Sequence, residues 1–197
     1  MKKIILILNL TVFSFFSVFA DESRLRFFQG ISSNVEKYEN ETSNSELKGG
    51  LFDNDAKGNE IHIIFSNGLG LTYAKSYVDA DASSAGALLR LESTIYGISY
   101  LIDFDDINLE IGTSLTGDST VSKLKILDID VVDLYDYEKN NLMFYHLNLG
   151  ANLSKSVEFI IGISSWDISV SRKENGVVGS KYNSKYSIYN LGLGILF

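Results

Sequence analysis

The stretch EIHIIFSNGLGLTY, Glu60 to Tyr73, sorts its residues by parity. Ile61, Ile63, Phe65, Leu69, Leu71 and Tyr73 share one parity, with Asn67 the polar exception. His62, Ser66, Gly68, Gly70 and Thr72 share the other, where Ile64 is the one large apolar member. Successive side chains of a β-strand point to opposite faces, so a period of two is a strand with one apolar face. The pattern recurs. Ile107, Leu109, Ile111 and Leu115 alternate with Asn108, Glu110, Gly112 and Ser114; Tyr145, Leu147, Leu149 and Leu153 alternate with His146, Asn148, Gly150 and Asn152; Val157, Phe159, Ile161 and Ile163 alternate with Glu158, Ile160, Gly162 and Ser164. The second row decides which way the faces point. A water-soluble antiparallel barrel or sandwich turns its large residues inward and its charges outward. Here the second row is rich in Gly, Ser, Asn and Thr, which fit a narrow interior, so the large row faces outward, to lipid. Proline removes a ladder hydrogen bond, and this chain of long strands has none. The expected fold class is all-β, an eight-stranded antiparallel transmembrane β-barrel. A soluble, lipocalin-like periplasmic carrier is the rival architecture.

Connections follow the rhythm of such barrels, short turns at one end and longer loops at the other. Phe104-Asp105-Asp106 and Ser154-Lys155-Ser156 are tight, while 78–86, 117–140 and 171–181 are long and polar. Strands are expected near 87–102, 107–116, 142–153, 157–170 and 182–197, with three more before residue 78. At Ser66-Asn67-Gly68 the chain either runs straight or turns in a three-residue loop with Gly68 left-handed, pairing Phe65 with Leu69. Glu60–Phe65 is short for a spanning strand, which needs about 9–11 residues, so length favours a straight strand Ile61–Tyr73. Residues 45–52 are then the second strand and Leu25–Val35 the first. Two segments change phase midway: Leu89, Leu91 and Ile95 give way to Tyr96, Ile98, Tyr100 and Ile102, and Ile163 gives way to Trp166, Ile168 and Val170. A β-bulge in each restores one outward face; otherwise such side chains plug the interior.

The ends speak to location. MKKIILILNLTVFSFFSVFA has a short basic start, an apolar run and small or β-branched residues at Val18 and Ala20, the pattern of a secretory signal peptide cleaved after Ala20. Residues 1–20 are the signal peptide and 21–197 the barrel domain of a cell-envelope protein in the outer membrane of a Gram-negative cell. With no cysteine, neither a disulfide scaffold nor a cysteine-anchored lipoprotein fits. Loss of Lys2 and Lys3 leaves 15 basic against 25 acidic side chains, which argues against nucleic acid as a partner. At the other end, Tyr189, Leu191, Leu193, Ile195 and Phe197 alternate with Asn190, Gly192, Gly194 and Leu196, and the chain finishes on the aromatic residue. This segment resembles the C-terminal strand of bacterial outer-membrane β-barrels, which the barrel assembly machinery reads as a signal. The chain as a whole resembles the small-barrel superfamily typified by the OmpA transmembrane domain, OmpX and OmpW. That resemblance implies a monomer in contact with outer-membrane lipids and the assembly machinery, with periplasmic termini.

Chemistry is sparse. His62 and His146 are the only histidines, both on polar rows, and with Arg90, Glu92, Glu110 and Glu158 they make a candidate lumen network. Buried charges must be paired, and an eight-stranded interior is just wide enough for side chains to fill, so the network reads as a salt-bridged plug. Lipid-A deacylases, which are also small barrels, carry a serine two residues after the histidine; here Asn148 follows His146 at that position, so no enzyme is expected. Asp128, Asp130, Asp133, Asp136 and Glu138 form an acidic run, ordinarily a solvated face although clustered carboxylates can take calcium. In DNDAKGNE, Lys57 occupies a ligand position of the calcium loop and Ile64 stands where the closing Glu belongs. No catalytic, cofactor-binding or metal site and no cofactor is assigned. The reading is a plugged structural or surface-interaction barrel, against a narrow, porin-like channel or transporter for small or hydrophobic molecules. If Phe197 completes the assembly signal, Phe197→Ala lowers the amount of heat-modifiable folded protein in cell membranes and leaves refolding in detergent nearly unchanged. Equal amounts in cells would remove that role.

Overall fold

The computed structural model describes residues 22–40, 45–46, 53–82, 86–132, 135–174 and 177–197. The expected signal peptide with its expected cleavage site, and Asp133, lie outside the described residues. Eight long strands run β1 (Arg24–Asn40), β3 (Asp53–Ile64), β4 (Leu69–Ala82), β5 (Ala87–Phe104), β6 (Ile107–Ile126), β8 (Asp136–Asn152), β9 (Val157–Glu174) and β10 (Val177–Leu196). Two-residue strands β2 (Ser45–Glu46) and β7 (Ile129–Asp130) lie against β1 and β6. Each long strand pairs antiparallel with the next, and β1 closes the ring on β10 from Arg24↔Leu196 to Asn40↔Tyr182. The ends meet there, Ser23 and Phe197 exchanging two backbone hydrogen bonds of 3.0 Å, at the same end as the tight turns 65–68 and 105–106.

The chain turns at Ser66-Asn67-Gly68, which corrects the straight-strand expectation. Phe65 N–H donates to Leu69 O at 2.8 Å, Gly68 takes φ +81°, and Ile63 lies opposite Leu71. Length misleads because β3 does not begin at Glu60. It continues back through polar residues to Asp53, above the part of the wall that must be apolar. Of the expected strand 45–52, the described residues form only the Ser45–Glu46 ladder. The long loops 78–86, 117–140 and 171–181 are corrected likewise, because much of each is strand: β4 reaches Ala82, β6 reaches Ile126 and β8 starts at Asp136.

Both phase changes are real, and neither strand is bulged to absorb them. On β5 the inward row stays in step through Leu89, Leu91, Ser93, Ile95, Gly97, Ser99 and Leu101; on β9 it stays in step through Glu158, Ile160, Ser164, Trp166, Ile168 and Val170. The register shifts fall on β6 instead, leaving Leu115 and Ser122 without partners on β5. What changes is the chemistry of the faces. Near the termini the outward row is apolar: Ile61 and Ile63, Leu71 and Tyr73, Ile98 and Phe104, Leu147 and Leu149, Phe159 and Ile161, Leu191, Leu193 and Ile195 are all exposed. Beyond it the same parity turns polar, as Lys57 and Asp55, Lys75 and Asp79, Asn141, Asp167, Lys185 and Ser187. The switch comes at matching places around the ring, edged by Tyr73, which pairs with Tyr96 (ring centroids 5.5 Å apart), and by Tyr145 and Tyr189. Met143 to Leu153, at about 3.3 Å per residue and a tilt of about 40°, rises about 25 Å, the height of an outer-membrane apolar band with its aromatic girdle.

Above the tyrosines the ring opens into two sheets. β1 pairs with β3 only from Arg24↔Ile64 to Gln29↔Asn59, and β6 with β8 only from Ile107↔Ala151 to Thr113↔Tyr145. The upper strands therefore group as β8-β9-β10-β1 and β3-β4-β5-β6. Side chains bridge the seams: Ala56 N–H donates to Ser33 Oγ at 3.1 Å and Thr113 Oγ1 donates to Phe144 O at 3.0 Å. The upper half is thus a small sandwich with a water-soluble pattern, apolar inside and polar outside. If the switch is set by lipid, Leu147→Arg lowers stability in vesicles by about 2–4 kcal/mol, whereas Asn141→Arg, outward on the same strand, changes it by less than about 0.5 kcal/mol. Urea titration of both variants measures this.

Candidate functional site: the filled lumen

Inside the apolar band the inward rows meet as a buried polar cluster. Arg26, alternating with Leu25 and Phe27, is fully buried near the start of β1. Its Nε donates to Glu158 Oε1 at 2.7 Å, Nη1 to Glu110 Oε2 at 2.8 Å, and Nη2 to Asn108 Oδ1 at 2.6 Å and Glu158 Oε2 at 2.8 Å. Arg24 donates to Glu158 Oε2 at 2.9 Å and also to Asp103. Asn108 and Asn148 add amide donors to Glu158 and Glu110 at 3.0 and 3.1 Å. Further up, His62 stands between two carboxylates, Nδ1 2.9 Å from Glu110 Oε1 and Nε2 3.0 Å from Glu60 Oε2. Asn190 donates to Glu60 Oε1 at 2.9 Å. The His146 ring stacks on His62 with centroids 4.5 Å apart.

Glycines make the room. Gly112 pairs across the strands with His146, and a Cβ there would lie 2.5 Å from His146 Cε1. In the same way Gly150 faces Asn108, Gly162 faces Asn148, and Gly194 faces Glu158, each leaving under 2.5 Å to a polar side-chain atom. The small row is the space into which the neighbouring strand's polar side chain folds.

Aromatic contacts lead from this cluster into the sandwich. Phe28 lies 4.6 Å from His62, Phe144 5.5 Å from His146, Trp166 4.7 Å from Phe144 and Tyr186 6.1 Å from Trp166. Trp166, Ile168, Val170, Tyr38 and Tyr186 from one sheet pack on Ala74, Val78, Ala80, Leu89, Leu91 and Ile95 from the other, large against small. Two hydrogen bonds cross this core, Tyr38 Oη to Leu89 O at 3.1 Å and Ser76 Oγ with Tyr186 Oη at 2.6 Å.

Of the residues expected in the lumen, His62, Glu110, His146 and Glu158 come together. Arg90 and Glu92 do not, and are corrected: they lie on the outward row of β5 above the band. Arg90 holds Asp79 through two bonds of 2.6 Å and lies over Tyr77, and Glu92 pairs with Lys75 at 2.5 Å. Arg24, Arg26, Glu60, Asp103, Asn108, Asn148 and Asn190 complete the cluster without having been singled out. Their signal is parity alone: Glu60 shares a row with His62, and Arg24 and Arg26 alternate with Leu25 and Phe27.

The closed antiparallel ring, its outward apolar band and its polar interior are those of the small outer-membrane β-barrels. Among solved structures the chain is similar to the outer membrane protein OprG from Pseudomonas aeruginosa, at 11% identity and a TM-score of 0.51 over 91% of this chain and 97% of that one. It is also similar to Neisserial surface protein A, at 12% identity and 0.53 over 89% and 96%. No protein-family model and no curated protein sequence matches the chain. The likeness is one of fold.

Removing one member of a buried pair strands the other's charge, at a cost of about 3–5 kcal/mol. Arg26→Met therefore destabilises the barrel by that order, and adding Glu158→Gln to it recovers part of the loss. Urea unfolding followed by gel mobility gives both values, and equal destabilisation by single and double variants would refute the pairing.

Proposed function

We propose that the protein is an outer-membrane barrel, monomeric, with periplasmic termini and closed to flow, which works through the surface its upper strands hold outside the cell. The observation that carries this reading is the filling of the axis at two successive levels: a salt-bridged cluster within the band and an apolar core above it. Arg26, His62, Glu110, Trp166, Tyr186 and Ile168 are all essentially inaccessible. Water that reached the charged cluster would meet hydrocarbon next. The same burial argues against catalysis, since neither histidine offers a face to a substrate.

The outer end supports a binding role. β6 and β7 are joined by Leu127 and Asp128, both left-handed at φ 51° and 64°, in the manner of a type I′ hairpin. Leucine is a strained choice there, and Ile126, Leu127 and Ile129 are all exposed. Beside the acidic side chains Asp128 and Asp130, this apolar tip is suited to contact with another surface.

The β6–β8 seam favours a second reading, passage of small hydrophobic molecules. A cleft of about 460 Å³ lies there, lined by Ser114, Leu115, Gly117, Asn141, Met143 and Tyr145. Against it, Lys139 reaches across to Gly117 O. In planar bilayers the purified barrel is expected to give no sustained conductance, and a cysteine placed at Leu127 to react with an impermeant maleimide on intact cells. Steady conductance would overturn closure, and protection of the cysteine would overturn the orientation. Uptake of a hydrophobic dye into barrel-containing vesicles faster than into empty ones would favour the seam.

A further inference from the structure

We infer that the top of the polar cluster is a binding site for a divalent transition-metal ion, held by Glu60, His62 and His146. One ligand atom from each of these buried residues lies within 4.8 Å of the other two. His62 states the problem that a cation solves. A neutral imidazole has one N–H, yet His62 has a carboxylate oxygen at each nitrogen, 2.9 Å from Nδ1 and 3.0 Å from Nε2. If Nδ1 donates to Glu110, the Nε2 lone pair faces the lone pairs of Glu60 Oε2. A metal ion at that point turns the opposition into coordination, and the Glu110–His62 hydrogen bond becomes the carboxylate–histidine–metal arrangement that fixes a ligand's tautomer.

His146 is the independent observation. It is buried, and among the described residues neither ring nitrogen has a hydrogen-bond partner at normal distance. Its Nε2 lies 3.5 Å from Glu110 Oε1, a long contact that is an ion pair only when the ring is protonated. A buried imidazole left unsatisfied is costly, and coordination satisfies it. The outer groups are also in place. Glu60 Oε1 accepts from Asn190, which leaves Oε2 to turn toward His62, while Glu110 Oε2 is taken by Arg26 and Asn148. Charge agrees. Arg24 and Arg26 face four carboxylates, Glu60, Asp103, Glu110 and Glu158, so a divalent cation brings the cluster with neutral imidazoles to balance. Two imidazoles and a carboxylate suit zinc, and also cobalt, manganese or iron in the divalent state. The ligands come from β3 and β8, which part into opposite sheets above, so the ion would staple the base of the sandwich.

The test uses the full mature chain, unfolded with chelator and refolded into detergent with Zn²⁺ or Co²⁺. Gel mobility shows that each sample is folded. The expected result is one metal per folded chain after desalting, with a visible ligand-field absorption for Co²⁺ that shows nitrogen coordination. His146→Asn removes a ring whose one polar contact is the 3.5 Å approach to Glu110, so it is expected to fold and to bind at least about tenfold more weakly. Glu60→Gln, nearly isosteric, is expected to weaken binding similarly. Folded wild-type barrel that retains no metal would overturn the site, leaving a second proton on His62 as the cation between its two carboxylates. Retention undiminished in His146→Asn would overturn it too, since the metal would then sit elsewhere. Either failure leaves the closed-barrel reading standing.

Discussion

A sheet one strand thick has two faces, and in this molecule both faces change medium partway along every strand. The backbone can satisfy its hydrogen bonds across a bilayer only by closing on itself, so the strands form a ring through the band. There the outward row must be apolar, and the inward row is free to be polar. Past the tyrosine edge water replaces lipid outside, and the requirement reverses. Lys75, Asp79, Asp167 and Lys185 take the outward parity, and Val78, Trp166, Ile168 and Tyr186 take the inward one. On β5 and β9 the residues change and the pleat does not, whereas β1 and β6 carry register shifts, at Gly30/Ser32 and Val35/Lys37 on β1 and at Leu115 and Ser122 on β6. With an apolar core of its own, the upper half no longer needs a closed ring, and the ladders between β1 and β3 and between β6 and β8 end near that edge.

The two halves are filled by different physics and constrain one another. Within the band, polar groups are enclosed by a wall whose far side is lipid, so each must find its partner inside. Two arginines, four carboxylates and three asparagines do so at 2.6–3.1 Å, apart from the closer Arg24–Asp103 contact. Such a network is unforgiving, because an unmatched member costs several kcal/mol, whereas an apolar core tolerates repacking. The inward glycines follow from this demand. Several of the charged and amide side chains fold across a cross-strand neighbour that has no Cβ, as His146 does at Gly112 and Glu158 at Gly194. The sandwich core above combines large and small side chains likewise, with Trp166 and Tyr186 in one cluster with Ala74 and Ala80.

Much of the fold is legible in the sequence, because period-two alternation, tight turns and an aromatic terminal strand each have one physical reading. Five late strands fall near their expected places, and the ring of eight follows. The errors share one cause: the rule for lipid, large out and polar in, applied beyond the lipid. It placed Arg90 and Glu92 in the lumen, although above the tyrosines their parity is the polar outside. It shortened β3 to its apolar residues, and so favoured a straight strand over the turn at Ser66-Asn67-Gly68. It turned the upper parts of β4, β6 and β8 into loops. The phase changes at Leu89–Tyr96 and Ile163–Trp166 held the correction, since a parity switch in several strands at one height marks an interface rather than a set of bulges. The site was half legible. His62, Glu110, His146 and Glu158 announce themselves by residue type and row, but Arg24 and Arg26 lie a hundred residues or more from Glu158 and meet it only when β1 closes on β10.

That closure explains why the polar cluster sits where it does. β1 contributes the two arginines, β9 contributes Glu158, β6 contributes Glu110 and β3 contributes Glu60 and His62, so strands from the two ends of the sequence are bridged through the lumen. Until β10 joins β1, these charges have no enclosed partners, and the open sheet holds them at a site that the bilayer disfavours. Pairing Arg24 and Arg26 with Glu158 therefore rewards ring closure itself, beyond the ladder bonds of the seam. A purely apolar lumen of equal volume would pack as well but would reward any collapsed sheet. The ion pairs are satisfied only in the closed register, which gives a chain that must complete its ring within a membrane a reason to keep charge in its interior.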